Sequence, residues 1–260
     1  MSEALVRITI CVIARDEADN LRELLPTLRW ADELMVLVDD RTRDDSAARA
    51  RPLADRVEER AFTSFPAFRN LALDVAREPW VFFVDADERV SADLAAEARA
   101  AVSTSESSRA RGDAGGPIGY WVPRHNIIVG RLIRGGGWAP DYQLRLMHRH
   151  SARYDESRAV HETVVLDGPA GYLDQRLLHL NYGSWRDFVS RQRGYTALEA
   201  QALRAAGVTF TRRALVGQPL REFARRYLQL GGWKDGPVGH LLSLMMAYFA
   251  RERVRLTGWR

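Results

Sequence analysis

The chain predicts an α/β fold on a mainly parallel, doubly wound sheet with a helical C-terminal appendage. Apolar runs at Val6 to Ala14, Leu34 to Val38 and Trp80 to Val84 read as strands buried on both faces. Each ends in acidic residues, respectively Arg15-Asp16-Glu17, Asp39-Asp40 and Asp85-Ala86-Asp87-Glu88. Segments of helical spacing stand between the runs, and strands alternating with helices pair in parallel through right-handed crossovers.

Leu21, Leu24, Leu25 and Leu28 give one apolar helical face, with Asp19 or Asn20 as its cap. Pro26 removes a backbone donor and predicts a kink or an early end. Ser46 to Ala61, rich in Ala and Arg, reads as a helix interrupted by Pro52, overlapping a short strand near Val57 to Phe62. Pro66 to Ala76 reads as the helix leading into the third run, and Ser91 with Asp93 starts the next. Ser103 to Pro117, small, polar and glycine-rich, predicts a flexible surface loop. Ile118 to Val129 and Tyr142 to His148 read as strands that complete the sheet, separated by the turn-permitting Gly135-Gly136-Gly137-Trp138. A helix over Ser184 to Ala206 points Phe188, Tyr195, Leu198 and Leu203 inward. Two more, Leu220 to Leu230 and Val238 to Leu256, flank Gly231 to Pro237.

With 260 residues, 46% of them hydrophobic, the chain can bury one substantial core and carry an appendage. Its net charge is +4, and Lys234 is its only lysine. The arginines have two readings, a GC-rich coding sequence or the recognition of phosphate by guanidinium forks. They are interleaved with acids, and no zinc-finger spacing or helix-turn-helix is evident, which argues against nucleic acid as a partner. The single Cys11 can form no internal disulfide and suits a reducing compartment. The N-terminus offers no apolar stretch long enough for a signal peptide, so the expected location is cytoplasmic.

The tetrad Asp85 to Glu88 carries most of the chemistry. Ligands of open α/β sheets gather outside the carboxyl ends of the strands, where these carboxylates stand. Hard divalent cations are held by one or two carboxylates together with substrate phosphates. Acidic pairs at strand ends also serve as helix caps and solvated loops, so the tetrad by itself leaves both readings open.

Four motifs in order, I-x-V-I-A-R-D-E-A-D-N-L (Ile10 to Leu21), V-D-D-R-T-R-D-D-S (Val38 to Ser46), F-R-N-L-A-L (Phe68 to Leu73) and F-V-D-A-D-E (Phe83 to Glu88), resemble family 2 glycosyltransferases of the GT-A fold. Within that family the chain is most similar to the bacterial lipopolysaccharide-core β-glucosyltransferase group. V-H-E (Val160 to Glu162) and L-L-H-L-N-Y (Leu177 to Tyr182) fit as well, and the likeness weakens after Ser184. The resemblance implies a Rossmann-like GT-A domain over 1–215, with a nucleotide-binding half at 1–102 and an acceptor half at 118–183, followed by the appendage at 216–260. It implies inverting transfer of a sugar from a nucleotide diphosphate sugar, expected to be UDP-linked, with Mg²⁺ or Mn²⁺, in cell-envelope glycan synthesis.

Roles follow from the same resemblance. Ala14, Arg15 and Glu17 are expected at base or ribose, Asp39 at the base, where a carboxylate can accept from a uracil-like imide, and Asp40 at ribose or solvent. Arg69 is expected near the diphosphate, with Arg145 reaching the phosphates or solvent. Asp87 is expected to ligate the metal, Asp85 to serve ribose or metal, and His179 to be a third ligand or a diphosphate contact; Glu88 is unassigned. The acceptor hydroxyl needs a base, for which Glu162 is the choice and Asp141 the reserve, with His161 orienting base or acceptor.

Val238 to Ala250 is strongly apolar yet shorter than the roughly 20 residues that span a bilayer. Arg251, Arg253, Arg255 and Trp259 follow it. The tail therefore reads either as a peripheral contact with the inner face of the plasma membrane, suiting a lipid-linked glycan acceptor, or as a helix packed on its own domain or a second copy. Two other functions stand as alternatives, the first of which uses similar carboxylates. A sugar-nucleotide pyrophosphorylase would need a G-x-G-x-R loop where Arg15-Asp16-Glu17 stands, and a noncatalytic nucleotide- or glycan-binding module would leave the tetrad idle.

Overall fold

A computed structural model describes residues 6–112, 116–157 and 163–259. In chain order the first elements are β1 (Ile8–Ala14), α1 (Ala18–Leu24), β2 (Glu33–Asp39), α2 (Ser46–Ala50), β3 (Arg56–Arg60), α3 (Phe65–Val75), β4 (Trp80–Asp85), β5 (Glu88–Arg89) and α4 (Ala92–Ala110). There follow β6 (Gly119–Ile128), β7 (Arg131–Leu132), β8 (Tyr142–His148), β9 (Ala152–Tyr154), β10 (Val164–Leu166), β11 (Ala170–Tyr172), β12 (Leu177–Tyr182), α5 (Trp185–Ala205), α6 (Ala214–Ala224) and α7 (Gly236–Thr257). They divide into two compact units. One runs to Arg124 and resumes from Tyr142 to His179; the other comprises His125–Asp141 and the chain from Leu180 onward. The division differs from a single break near residue 215, because α5 groups with the later helices.

In the first unit the strands lie in the order β3-β2-β1-β4-β8-β6. The pairs β3-β2, β2-β1 and β1-β4 are parallel, and β4-β8 and β8-β6 antiparallel. This is a GT-A sheet. Period-2 alternation divides its side chains between two cores. Ile8, Ile10 and Val12 of β1 and Trp80, Phe82 and Val84 of β4 face one side, with the leucines of α1 and Leu94, Ala98 and Val102 of α4. Cys11, Val81 and Phe83 face the other, with Phe68, Ala72 and Leu73 of α3. Burial pushes the Cys11 thiol up to about 12, which keeps it protonated and inert.

Pro26 ends α1 early, as expected, and Leu25–Leu28 form a 3-10 segment. Several other local expectations are corrected. Neither Asp19 nor Asn20 caps α1: Glu17 is the cap residue, and the amides of Glu17 and Ala18 donate to Ser46 Oγ at 2.9 Å and Asp44 Oδ2 at 3.0 Å. The expected helix over Ser46 to Ala61 shrinks to the short α2 and a turn around Pro52, and β3 takes the rest. The expected loop from Ser103 is helical as far as Ala110. Its small polar residues are drawn into α4 by tertiary partners. Val102 and Ser105 are buried, the Ser105 and Tyr120 hydroxyls lie 2.7 Å apart, and Trp80 Nε1 donates to Glu106 at 2.9 Å.

In the second unit, Ile128, Ile133, Tyr182, Phe188, Leu242 and Phe249 form the core. Helix α5 buries Phe188, Gln192, Thr196 and Ala200 at a spacing of four, while Tyr195 and Leu198, expected inward, are exposed. The buried stripe contains polar residues because it is satisfied locally, Gln192 Nε2 donating to the Tyr182 hydroxyl at 2.9 Å. Helices α6 and α7 pack on each other. Gly239 lets α7 approach the preceding turn, since a Cβ there would collide with the Gly232 carbonyl. Among the described residues no helix is long and apolar enough to cross a membrane.

Candidate active site

Parallel pairing lines up the ends of the central strands, Ala14 opposite Val38 and Ile13 opposite Asp85. The acidic residues that follow these strands therefore share one edge of the sheet, at β1 and β4, where the strand order reverses. Ala14 is buried at the end of β1, with Arg15 half exposed beyond it. Asp16 then adopts a left-handed conformation, φ 56°, and accepts from the Arg43 amide at 2.7 Å. Glu17 accepts from Asn20 Nδ2 at 2.7 Å. The turn after β1 is thus tied to the loop after β2 by Asp16–Arg43, Glu17–Ser46 and Ala18–Asp44 hydrogen bonds.

Asp39 is buried and gripped by Arg41, whose backbone N–H and Nε donate to Oδ1 at 2.9 and 3.0 Å and whose Nη2 donates to Oδ2 at 2.8 Å. Arg15 Nη1 stands 3.7 Å from the same Oδ2. Arg41's hydrogen bonds hold the Asp39 carboxyl below its ordinary value against the opposing effect of burial. Asp40 is exposed, and its backbone N–H donates to the Arg60 carbonyl at 2.9 Å.

In the tetrad the three acids have three environments. Asp85 receives Arg145 through both oxygens, Nη1 donating to Oδ1 at 3.0 Å and Nη2 to Oδ2, and Arg69 Nη2 adds a contact at 3.3 Å. Burial disfavours its charge, but Arg145 and Arg69 outweigh it and hold the carboxyl well below the usual range. Both oxygens of Asp85, the residue expected at metal or ribose, are engaged by guanidinium groups, so it also anchors two arginines. Glu88 is fully buried, accepting the Asp85 backbone N–H at 2.9 Å, Arg145 Nη2 at 3.1 Å and Arg124 Nη1 at 3.3 Å. Its burial raises the carboxyl above the usual value despite Arg145.

Asp87 faces a different partner. Its Oδ2 lies 3.4 Å from His179 Nε2. Backbone pairing accounts for the meeting of residues so far apart in sequence: β5 and β12 are antiparallel, with Glu88 opposite His179, so the residue just before Glu88 is brought to that imidazole. A carboxylate and an imidazole together suit a divalent cation that takes its remaining ligands from substrate phosphates. Among the described residues no group of three His, Cys, Asp or Glu converges, so Asp87 and His179 stand as a pair and not as a complete ligand set.

A cavity of about 380 Å³ is lined by Arg69 and Arg145 with Trp121, Gln143, Tyr154 and Thr163. The Arg69 guanidinium lies over the rings of Phe83, at 5.1 Å, and Tyr154, at 5.6 Å. Arg145 Nε is buried without a hydrogen-bond partner among the described residues. Arg41, Arg124 and Tyr154 were missed in the sequence. Arg41 follows the Asp39-Asp40 pair directly and could have been found from that proximity, whereas nothing local marks Arg124 or Tyr154. Glu162 and His161 lie outside the described residues. Asp141 belongs to the second unit, where Asn126 Nδ2 donates to its Oδ2 at 3.0 Å.

The fold is that of the GT-A glycosyltransferases. Residues 9–106 match the model described as Glycosyl transferase family 2, a stretch that contains the four N-terminal motifs. A relative, the lipopolysaccharide core biosynthesis glycosyltransferase LpsC of Rhizobium meliloti (strain 1021), is 25% identical over 250 residues, covering 92% of this chain and 87% of its own. The crystal structure of S. aureus TarS 1-349 in complex with UDP-GlcNAc superposes with a TM-score of 0.50 at 12% identity, covering 97% of this chain and 84% of that one. That likeness speaks for the fold.

Proposed function

We propose that the protein transfers a sugar, with inversion at the anomeric carbon, from a UDP-linked donor to a glycan or lipid-linked acceptor in cell-envelope synthesis. The observation that carries this is the meeting of Asp87 with His179 at the carboxyl edge of a GT-A sheet, on the chain region that matches family 2. The naming of LpsC for lipopolysaccharide core synthesis supports the acceptor class, and the UDP-GlcNAc in the TarS complex supports the donor class.

Asp39 keeps lone pairs beyond those that Arg41 uses, so its carboxylate can still accept from a uracil-like imide. Arg15 and Glu17 stand at the neighbouring strand end, within reach of base or ribose. Arg69 and Arg145, oriented by Asp85, offer positive charge toward the diphosphate, and the unmatched Arg145 Nε leaves a donor for an anionic oxygen. Asp87 and His179 would hold Mg²⁺ or Mn²⁺, which when bound neutralises charge developing on the leaving diphosphate. Glu162 takes the proton from the acceptor hydroxyl on the opposite face of the sugar, with His161 beside it in sequence.

The test is a panel of nucleotide sugars, measuring donor binding and slow donor hydrolysis with and without divalent cation. The expected result is a UDP-sugar that binds and hydrolyses in a metal-dependent way. Formation of a nucleotide sugar from a sugar phosphate and a nucleoside triphosphate would instead make the protein a pyrophosphorylase, and binding without any turnover would make it a binding module.

A further inference from the structure

The positive charge of the chain is concentrated at one end. Residues 207–260 hold ten Lys and Arg against three Asp and Glu, a net +7 in a chain whose total is +4. The same region exposes apolar side chains. Helix α6 is strongly two-sided in sequence yet buries none of its residues fully, leaving Val216 63% and Leu220 65% exposed. On α7, Leu242, Phe249 and Val254 are buried, while Leu241, Leu244 and Tyr248 are 41–49% exposed.

Ring contacts set these residues side by side. His240 of α7 meets Phe223 of α6 at 5.5 Å and Tyr227 at 5.2 Å. Positions three and four apart share a helix face. Leu220 and Val216, one and two turns before Phe223, therefore continue along α6 from the ring contact, and Leu244 and Tyr248 continue along α7 from His240. At the far end Phe210 bridges to Trp259, its N–H donating to the Gly258 carbonyl at 3.3 Å. This brings the segment just before α6 to the end of α7, where Arg212 and Arg213 follow Phe210 and Arg255 precedes Trp259, with Arg251 one turn further back.

We infer that this apolar seam and its arginine end form a docking surface for a bilayer containing anionic phospholipid. An exposed apolar stripe flanked by arginines matches acyl chains below and anionic headgroups around them, and an amphipathic ring such as Trp259 suits the boundary. A second copy packed through the same segment, residues 207–260, would bring only three acids, each already partnered. Glu222 is paired with Arg225 and Arg226, Glu252 with Arg255, and Asp235 with the amides of Arg134 and Gly135. The contact lies along the surface, since α7 is too short in apolar length to span. It does not depend on which sugar is transferred, or on whether transfer occurs.

The test is sedimentation of the full chain with vesicles of phosphatidylcholine, with and without phosphatidylglycerol. Binding is expected only to the phosphatidylglycerol vesicles, weakening as salt rises. The double substitution Leu220→Gln and Leu244→Gln should reduce it about tenfold or more while circular dichroism and donor binding stay unchanged. Arg212→Ala with Arg213→Ala should do the same without touching the apolar seam. Failure to bind phosphatidylglycerol vesicles at low salt, or equal binding to neutral ones, overturns the proposal. So does a concentration-dependent dimer that the leucine changes dissociate while vesicle binding persists.

Discussion

Arg145 holds Asp85 through both carboxylate oxygens, and its Nη2 is shared with the fully buried Glu88. This links β8 to the end of β4 and to the start of β5, so the arginine that lines the cavity and the acids of the tetrad are positioned as one unit. The acidic motif is thus divided. Asp85 and Glu88 set the geometry of the arginines, and Asp87 is left to face His179.

Removing the arginine should therefore cost stability as well as activity. Arg145→Met leaves Asp85 and Glu88 facing each other without their shared counter-charge, and breaking a buried pair from one side costs about 3 kcal/mol or more. Urea denaturation should show that loss, and adding Asp85→Asn to the same chain should restore part of it. Additive losses in the double variant would mean the two residues act independently.

Asp87→Asn and His179→Ala should each abolish metal-dependent donor hydrolysis with the fold intact. Even partners that only orient a ligand cost about 10- to 100-fold in metal affinity, so loss of a ligand itself should exceed that. Titration of Mn²⁺ followed by calorimetry measures it. Unchanged affinity in both variants would move the metal elsewhere.

Glu162→Gln keeps size and hydrogen bonding while removing basicity. Donor affinity should be nearly unchanged, and turnover should fall by about 10² to 10⁴. If Glu162→Gln keeps its turnover and Asp141→Asn loses it, the base is Asp141.

His148, buried beneath the edge of the Trp80 ring at 5.8 Å, resists protonation. Burial, assisted by the positive charge of Arg109, brings its value from 6.5 down to about 4, although Glu106 opposes the shift. The unfolded chain therefore binds a proton that the folded chain refuses, and stability should fall as pH drops from 6.5 toward 4. The urea midpoint followed across that window should slope downward toward acid in the native chain. His148→Gln should flatten the slope, and an equal slope in that variant would assign it to another group.

Periodicity and punctuation determined the sheet. Continuous apolar runs can be buried only between two helical layers, so β1, β2 and β4 are legible from residue type alone, as are α3 and α5 from their helical spacing. The acidic strand ends and the four motifs likewise marked where a site would form. Tertiary structure decided what local sequence could not encode. The Ser103 segment became helix because Tyr120 and Trp80 supplied partners for its polar side chains, overriding a composition that favours loops. Asp85 and Asp87, two residues apart and chemically alike, took different roles because one meets Arg145 from β8 and the other meets His179 from β12. Those partners arrive through strand pairing across scores of residues, and a carboxylate's role is set by the charge beside it, which sequence spacing does not specify.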